Sequence, residues 1–256
     1  MSRPAIDFGA AAADYSRHRP GFPEEFFDYV GRYGVGVEGQ RVLDLGTGTG
    51  TLARGFARRG CRAVGLDPSP EMLQAAAALA REEQVAVGWV RAWAEATGLR
   101  AAAFEVICAG QCWHWFDRER AAAELVRLLQ TGGFALLAYF TYLSDPGTVG
   151  HTTEALILRD NPGWPAAGSS GRHPIFAADL SAAGLIHQDI FWFDLDVCMT
   201  HEAWRGRIRA CNGVLTLPPA QIAAFDADLA ALLARDYPEP LAVAHRVFGI
   251  LARKPG

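Results

Sequence analysis

VLDLGTGTGTLAR, residues 42–54, runs an apolar stretch straight into three glycines at alternate positions and then into a helical pattern. Arg41-Val42-Leu43-Asp44-Leu45 reads as a short apolar strand. Gly46-Thr47-Gly48-Thr49-Gly50 reads as a turn whose backbone can approach a ligand closely and aim free N–H groups at it. Thr51–Arg59 continues as a helix, with Gly60 placed as its left-handed stop. A second strand, Arg62–Leu66, then ends in Asp67, seventeen residues beyond Gly50. An acid at that point is placed to accept hydrogen bonds from ribose hydroxyls. A bare glycine motif means little; strand, glycine turn, helix, strand and terminal acid in register mean much more.

The same alternation continues outward. Ser69-Pro70-Glu71 opens a helix with an N-cap, a proline at the first position and an acid in the first turn. Leu73–Glu82 extends it, and Val85–Val90 and Glu105–Ala109 read as strands three and four. Asp117 can cap a helix running to about Leu129, and Gly132-Gly133 turns into a fifth strand, 134–140. Wholly apolar strands separated by helices imply a parallel sheet covered on both faces. The fold class is α/β: a Rossmann-like, doubly wound, mostly parallel sheet.

Before this core, residues 1–40 read as a helical flap punctuated by Pro20, Pro23 and four glycines between 31 and 39. After it, Thr141–Arg172 is rich in glycine and proline with only a short helical stretch. A helix near Ile175–Ala183, a long strand within Leu185–Met199 and helices near His201–Cys211 and Pro219–Asp236 follow. Ala242–Ala252 closes the chain as a strand, making seven strands in all. One domain over 1–256 is expected: flap 1–40, cofactor-binding core 41–140, a helical and loop lid with the remaining elements over 141–241, and a closing strand over 242–256.

Composition narrows the partners. The chain has 256 residues, half of them hydrophobic, and a net charge of −4, which gives no electrostatic reason to bind nucleic acid or anionic lipid. Its longest stretch without a charged residue, Leu128–Ser144, is interrupted by two glycines and is too short to span a membrane. Asp7 and Asp14 interrupt what a signal peptide would need as an apolar core, and five scattered cysteines do not form a disulfide frame. A cytoplasmic protein acting on a small molecule, as a monomer or homodimer, is expected.

Two cofactor classes fit the turn. From Gly48 the string G-T-G-T-L-A satisfies the dinucleotide fingerprint, and Asp67 lies nineteen residues on, as that fingerprint expects. From Asp44 the string is D-x-G-x-G-x-G, with an acid inside the strand. That acid serves nothing for an anionic pyrophosphate but suits a cofactor carrying an ammonium and a sulfonium. A nicotinamide-dependent oxidoreductase is the alternative, but the only lysine, Lys254, is at the C-terminus, so a Tyr-x-x-x-Lys pair is excluded. A protein that binds the sulfonium cofactor without transferring methyl is a third possibility.

VLDLGTGTG, GLDPSPEML, the AE of RAWAEATGL, CWHWFD and LLQTGGFALLAY together resemble the ordered motifs of class I S-adenosylmethionine-dependent methyltransferases. They are most similar to the methyltransferase type 11 group, in the branch that includes trans-aconitate methyltransferase, whose signatures YSRHRPGFP (15–23) and HWFD (114–117) also resemble. The resemblance implies S-adenosyl-L-methionine as cofactor. Gly46, Thr47, Gly48 and Gly50 would then pack under its methionine part, and Asp44 would hold its ammonium directly or through water. Asp67 would take the ribose hydroxyls, with Pro68 and Met72 beside the adenine. Ala94 would offer its N–H to the ring, and Trp93, where the family often has Asp, would stack instead. Gln111 would face the sulfonium, and Tyr15 and Arg19 could close over the carboxylate.

Methyl transfer by in-line displacement needs alignment and exclusion of water, and a base only where the acceptor carries a proton. His114, set among Trp113, Trp115 and Phe116, is the candidate base, and the position also suits a packed histidine that orients its loop. His18, His151 and His173 read as solvated surface histidines. Cys108, Cys112 and His114 do not have the spacing of a tetrahedral metal set, so no metal is expected. Arg205, Arg207 and Arg209 read as a solvated basic face, Phe191 to Phe193 as core, and Trp89 and Trp164 have no assignment. The expected activity is methyl transfer to a small molecule, with O-methylation of a carboxylate or hydroxyl favoured.

Overall fold

The apolar strands do assemble into one seven-stranded sheet, in the order β3-β2-β1-β4-β5-β7-β6. In the computed structural model, which describes residues 20–256, α1 (Glu24–Gly31) precedes β1 (Arg41–Leu45), α2 (Thr51–Arg58), β2 (Arg62–Asp67) and α3 (Pro70–Glu82). Next come β3 (Val87–Arg91), β4 (Phe104–Gly110), a 3-10 turn (Trp113–Trp115), α4 (Arg118–Leu128) and β5 (Leu129–Tyr142). The remainder is α5 (Val149–Asp160), α6 (Phe176–Ala182), β6 (Ile186–Met199), α7 (His201–Arg209), α8 (Asn212–Leu215), α9 (Pro219–Asp236) and β7 (Leu241–Arg253).

Strands β1 to β5 pair in parallel. The bonds from Gly132 N–H to Lys254 and from Leu143 N–H to Ala244 make β7 antiparallel to β5. The strand order reverses between β1 and β4, and that reversal opens a crevice at their carboxyl ends. Predicted caps hold: the Ser69 hydroxyl accepts from Met72 N–H at 3.2 Å, and Asp117 accepts from Arg120 N–H at 3.3 Å.

Two elements differ from expectation. β5 begins at Leu129, directly off α4, and not after Gly132-Gly133. The two glycines sit where the β4–β5 register shifts, with Gly132 at φ +76°, so they form an irregularity inside the strand and not a turn ahead of it. In the glycine-rich 141–172 segment, α5 runs for twelve residues, capped by the Thr148 hydroxyl on His151 N–H.

Two units divide the chain. The core unit comprises Gly21–Phe140, Arg172–Phe193 and Val247–Gly256; the second unit, among the described residues, comprises Pro20, Thr141–Gly171 and Asp194–Arg246. The core unit closes around Leu43, Leu45, Leu66, Ile107, Leu125, Leu137 and Phe248. The second unit has its own cluster around Trp204, Phe225, Leu229, Leu233 and Val214. Among the described residues no helix is long and apolar enough to cross a membrane.

Candidate functional site

The glycine turn leaves β1 with Gly46, Gly48 and Gly50 all at positive φ, +62°, +54° and +80°. A side chain at Gly46 would collide with Cys112 and Phe116, and one at Gly50 with the Trp89 ring, at 2.9 and 2.7 Å. At Gly48 a Cβ would meet nothing within 4 Å, so the turn is packed on one side and open on the other. Trp89, which sequence reasoning left without a role, is the floor of this turn. It lies beside Gly65 in the β2–β3 register, and a Cβ at Gly65 would come within 2.5 Å of its ring. A glycine inside an apolar strand was the available signal, since it marks a close approach from a neighbour.

Asp44 is 2% exposed and lies beneath the turn. Its Oδ2 accepts from the Thr47 hydroxyl at 2.6 Å and from Ala53 N–H at 3.2 Å, which bolts the turn to the first turn of α2. Burial pushes its carboxyl up to about 7 against these stabilising bonds. Asp67, at the end of β2, accepts from Gly48 N–H through Oδ2 and from Ser69 N–H through Oδ1, both at 2.9 Å. Burial raises its pKa too, opposed by those two N–H groups. Both acids therefore meet the glycine turn, one from below and one from its open rim.

The other predicted cofactor residues follow the strand ends. Met72 is buried in the first turn of α3, and Pro68 is half-buried beside Asp67. Trp93 is 58% exposed while its neighbour Ala94 is buried. Gln111, just past β4, takes φ +61°, a left-handed conformation that costs a non-glycine residue energy, and donates its N–H to Ala138 at 2.8 Å. Tyr15, Arg19 and His18 lie outside the described residues.

His114 is exposed on the 3-10 turn, and its Nδ1 lies 3.2 Å from the Tyr139 hydroxyl. His173 is not a solvated surface histidine. It is half-buried against Tyr139 and Phe176, because Arg172–Phe193 belongs to the core unit and not to the intervening segment. Cys112 donates its thiol to Leu45 O, and burial lifts both Cys108 and Cys112 well above the usual thiol range. Among the described residues no group of three His, Cys, Asp or Glu could hold a metal. Arg205 and Arg209 both pair with Asp226, and Arg207 is buried, so the expected solvated face is a packed one. Phe191 is buried as expected, but Trp192 points outward, 49% exposed.

A Rossmann-like sheet with an acid-braced glycine turn at its reversal point defines the class of domain. Residues 43–137 match the family model described as a methyltransferase domain. The chain is 36% identical over 129 residues to an uncharacterized methyltransferase of Mycobacterium bovis, covering 50% of each. It is 34% identical over 142 residues to malonyl-[acyl-carrier protein] O-methyltransferase of Enterobacter lignolyticus, covering 55% of this chain and 54% of that one. The chain thus spans about half the length of the curated relatives it matches. A Haemonchus contortus phosphoethanolamine N-methyltransferase, solved with S-adenosylhomocysteine, shares the fold at TM-score 0.58 and 20% identity, covering 100% of this chain and 61% of that one.

Proposed function

We propose that this protein is an S-adenosyl-L-methionine-dependent methyltransferase acting on a small-molecule acceptor, with oxygen of a carboxylate or hydroxyl as the favoured target. The observation that carries the reading is the pair Asp44 and Asp67 on either side of one glycine turn. The residues fit the cofactor. The open side of Gly48 leaves room for it, and Asp44, whose buried carboxyl ionises at about 7, would lie below an ammonium there. When bound, the cofactor supplies a methyl group on a positive sulfur, already activated for displacement.

The chain's own residues bind, orient and exclude water. Asp67 would keep one lone pair on Gly48 N–H and one on Ser69 N–H and turn the remaining ones to the ribose hydroxyls. Trp93 would cover the adenine face with Ala94 N–H at its edge, and Pro68 and Met72 would line the other side. Gln111 would face the reacting end, with His114 on the acceptor side. Tyr15 and Arg19 would close over the carboxylate. The name of the Enterobacter relative supports transfer to oxygen, and the similarity of YSRHRPGFP and HWFD supports a place near trans-aconitate methyltransferase.

Thermal denaturation with S-adenosylmethionine, S-adenosylhomocysteine and NAD(P) tests the cofactor class. A ligand at 100 times its Kd stabilises by about 2.7 kcal/mol. Stabilisation by the sulfur compounds is expected; stabilisation by NAD(P) alone would overturn the reading.

A further inference from the structure

Beyond the cofactor residues, three rings meet at the carboxyl end of β5. The Tyr139 ring is buried, 4.2 Å from that of His173 between centroids, and its hydroxyl lies 3.2 Å from His114 Nδ1. His173 also stacks on Phe176 at 5.6 Å and meets Phe248 edge-on at 6.2 Å. All of these residues belong to the core unit. The β4–β5 pairing locates them: Gly110 pairs with Ala138, and Ala138 O receives the N–H of Gln111, so Tyr139 stands level with the strained Gln111 corner. On the proposed function this is the reacting end of the crevice, three strands from β2, which ends in Asp67, and four from β3, which leads to Trp93.

Among the described residues, nothing hydrogen-bonds the ring nitrogens of His173. The charged groups nearby are already committed. Arg118, over the Phe176 ring, pairs with Asp179 at 3.2 Å, and Asp179 also receives the Trp113 indole N–H at 2.9 Å. The Tyr139 hydroxyl is raised by burial and stays protonated. Burial likewise lowers the His173 pKa from the ordinary histidine value, which favours the neutral ring. His114, by contrast, is exposed and has one nitrogen engaged with Tyr139.

We propose that His173 is the general base of the acceptor subsite, taking the proton of a hydroxyl acceptor, and that Tyr139, anchored by His114, positions its ring. The assignment rests on the methyltransferase reading and narrows it from carboxylate or hydroxyl to hydroxyl. The acceptor O–H bond breaks and its proton goes to a ring nitrogen of His173. The oxygen's electron pair forms the new O–C bond, while the C–S bond breaks and its pair stays on sulfur. His173 then returns the proton to solvent.

Calorimetry with S-adenosylhomocysteine is the first measurement, on wild type, His173→Gln and Tyr139→Phe. Equal affinities establish that the variants fold and bind; no binding by wild type overturns the cofactor reading and the base with it. Methylation of phenol, catechol and 4-nitrophenol is then followed by mass spectrometry. Transfer to at least one is expected, with His173→Gln lowering kcat by about 10²-fold or more at a KM within a few-fold. The acidic limb of the kcat/KM profile should vanish in that variant. Transfer to none of the phenols, a kcat within threefold of wild type, or an unchanged acidic limb overturns the base assignment alone. In the cofactor-free protein, diethyl pyrocarbonate at pH 6 should carbethoxylate His173, and millimolar catechol should protect it; unprotected modification overturns the assignment as well.

Discussion

Asp44 and Asp67 differ by what surrounds each carboxylate, and that difference is measurable. Asp44 lies beneath the turn with a midpoint of about 7, so below that pH it is neutral and offers no anion to a cationic ligand. Affinity for S-adenosylhomocysteine should therefore rise about tenfold between pH 6 and pH 8, and Asp44→Asn should flatten this, as calorimetry across that range would read. The stability of the ligand-free protein should move the opposite way. A carboxyl whose folded pKa is raised binds more protons folded than unfolded, so Tm should fall as pH rises from about 4 to 7. Asp67→Ala removes the acceptor of Gly48 N–H and the expected ribose contact together. Charge-assisted hydrogen bonds of about 1.5–3 kcal/mol imply at least about tenfold weaker binding, and unchanged affinity would refute the ribose role.

At the scale of elements, the β2–β3 pair carries the turn. Gly65 has no room for a methyl beside Trp89, so Gly65→Ala should cost about 1–3 kcal/mol in urea denaturation. Trp89→Leu in the same chain should return part of that loss, because the closest collision is with the indole, while the Thr47 methyl at 2.9 Å remains. Much at this scale was legible in the residues. Ser69-Pro70 and Asp117 cap the helices they announce, and each of strands one to four lies within about two residues of its apolar run. The start of β5 was not legible, because Gly132-Gly133 are turn residues that here absorb a register shift, which depends on the partner strand. The full extent of α5, expected only as a short helical stretch, was not legible because only its Thr148 cap distinguishes it from the loop chemistry on both sides.

At the scale of the molecule, the two units hold separate hydrophobic clusters, and every described residue of the proposed cofactor site belongs to the core unit. Trp204 is fully buried in the second unit, its indole N–H on the Thr153 hydroxyl. Trp204→Ala should cost about 3–5 kcal/mol, seen as a lowered Tm, while S-adenosylhomocysteine binding by calorimetry persists. Lys254, the chain's only lysine, donates to Val126 O and Leu129 O at 2.7 and 2.8 Å and ties the closing strand to the end of α4. It is thus a structural cation in the core unit.

Residues 41–67 by themselves determined the strand–turn–helix–strand unit, its two acids and the class of ligand they suit. The physical reason is that glycine conformations, caps and apolar runs act over a few neighbouring positions. The packing of Trp89 under Gly50 and the meeting of His114, Tyr139 and His173 were decided only once the sheet had closed. Those contacts join residues across strand pairs and connections of tens of residues, and no local pattern encodes their distance. A histidine that reads as surface in a string became half-buried, its pKa lowered by that burial, because β5 and α6 supplied the rings around it.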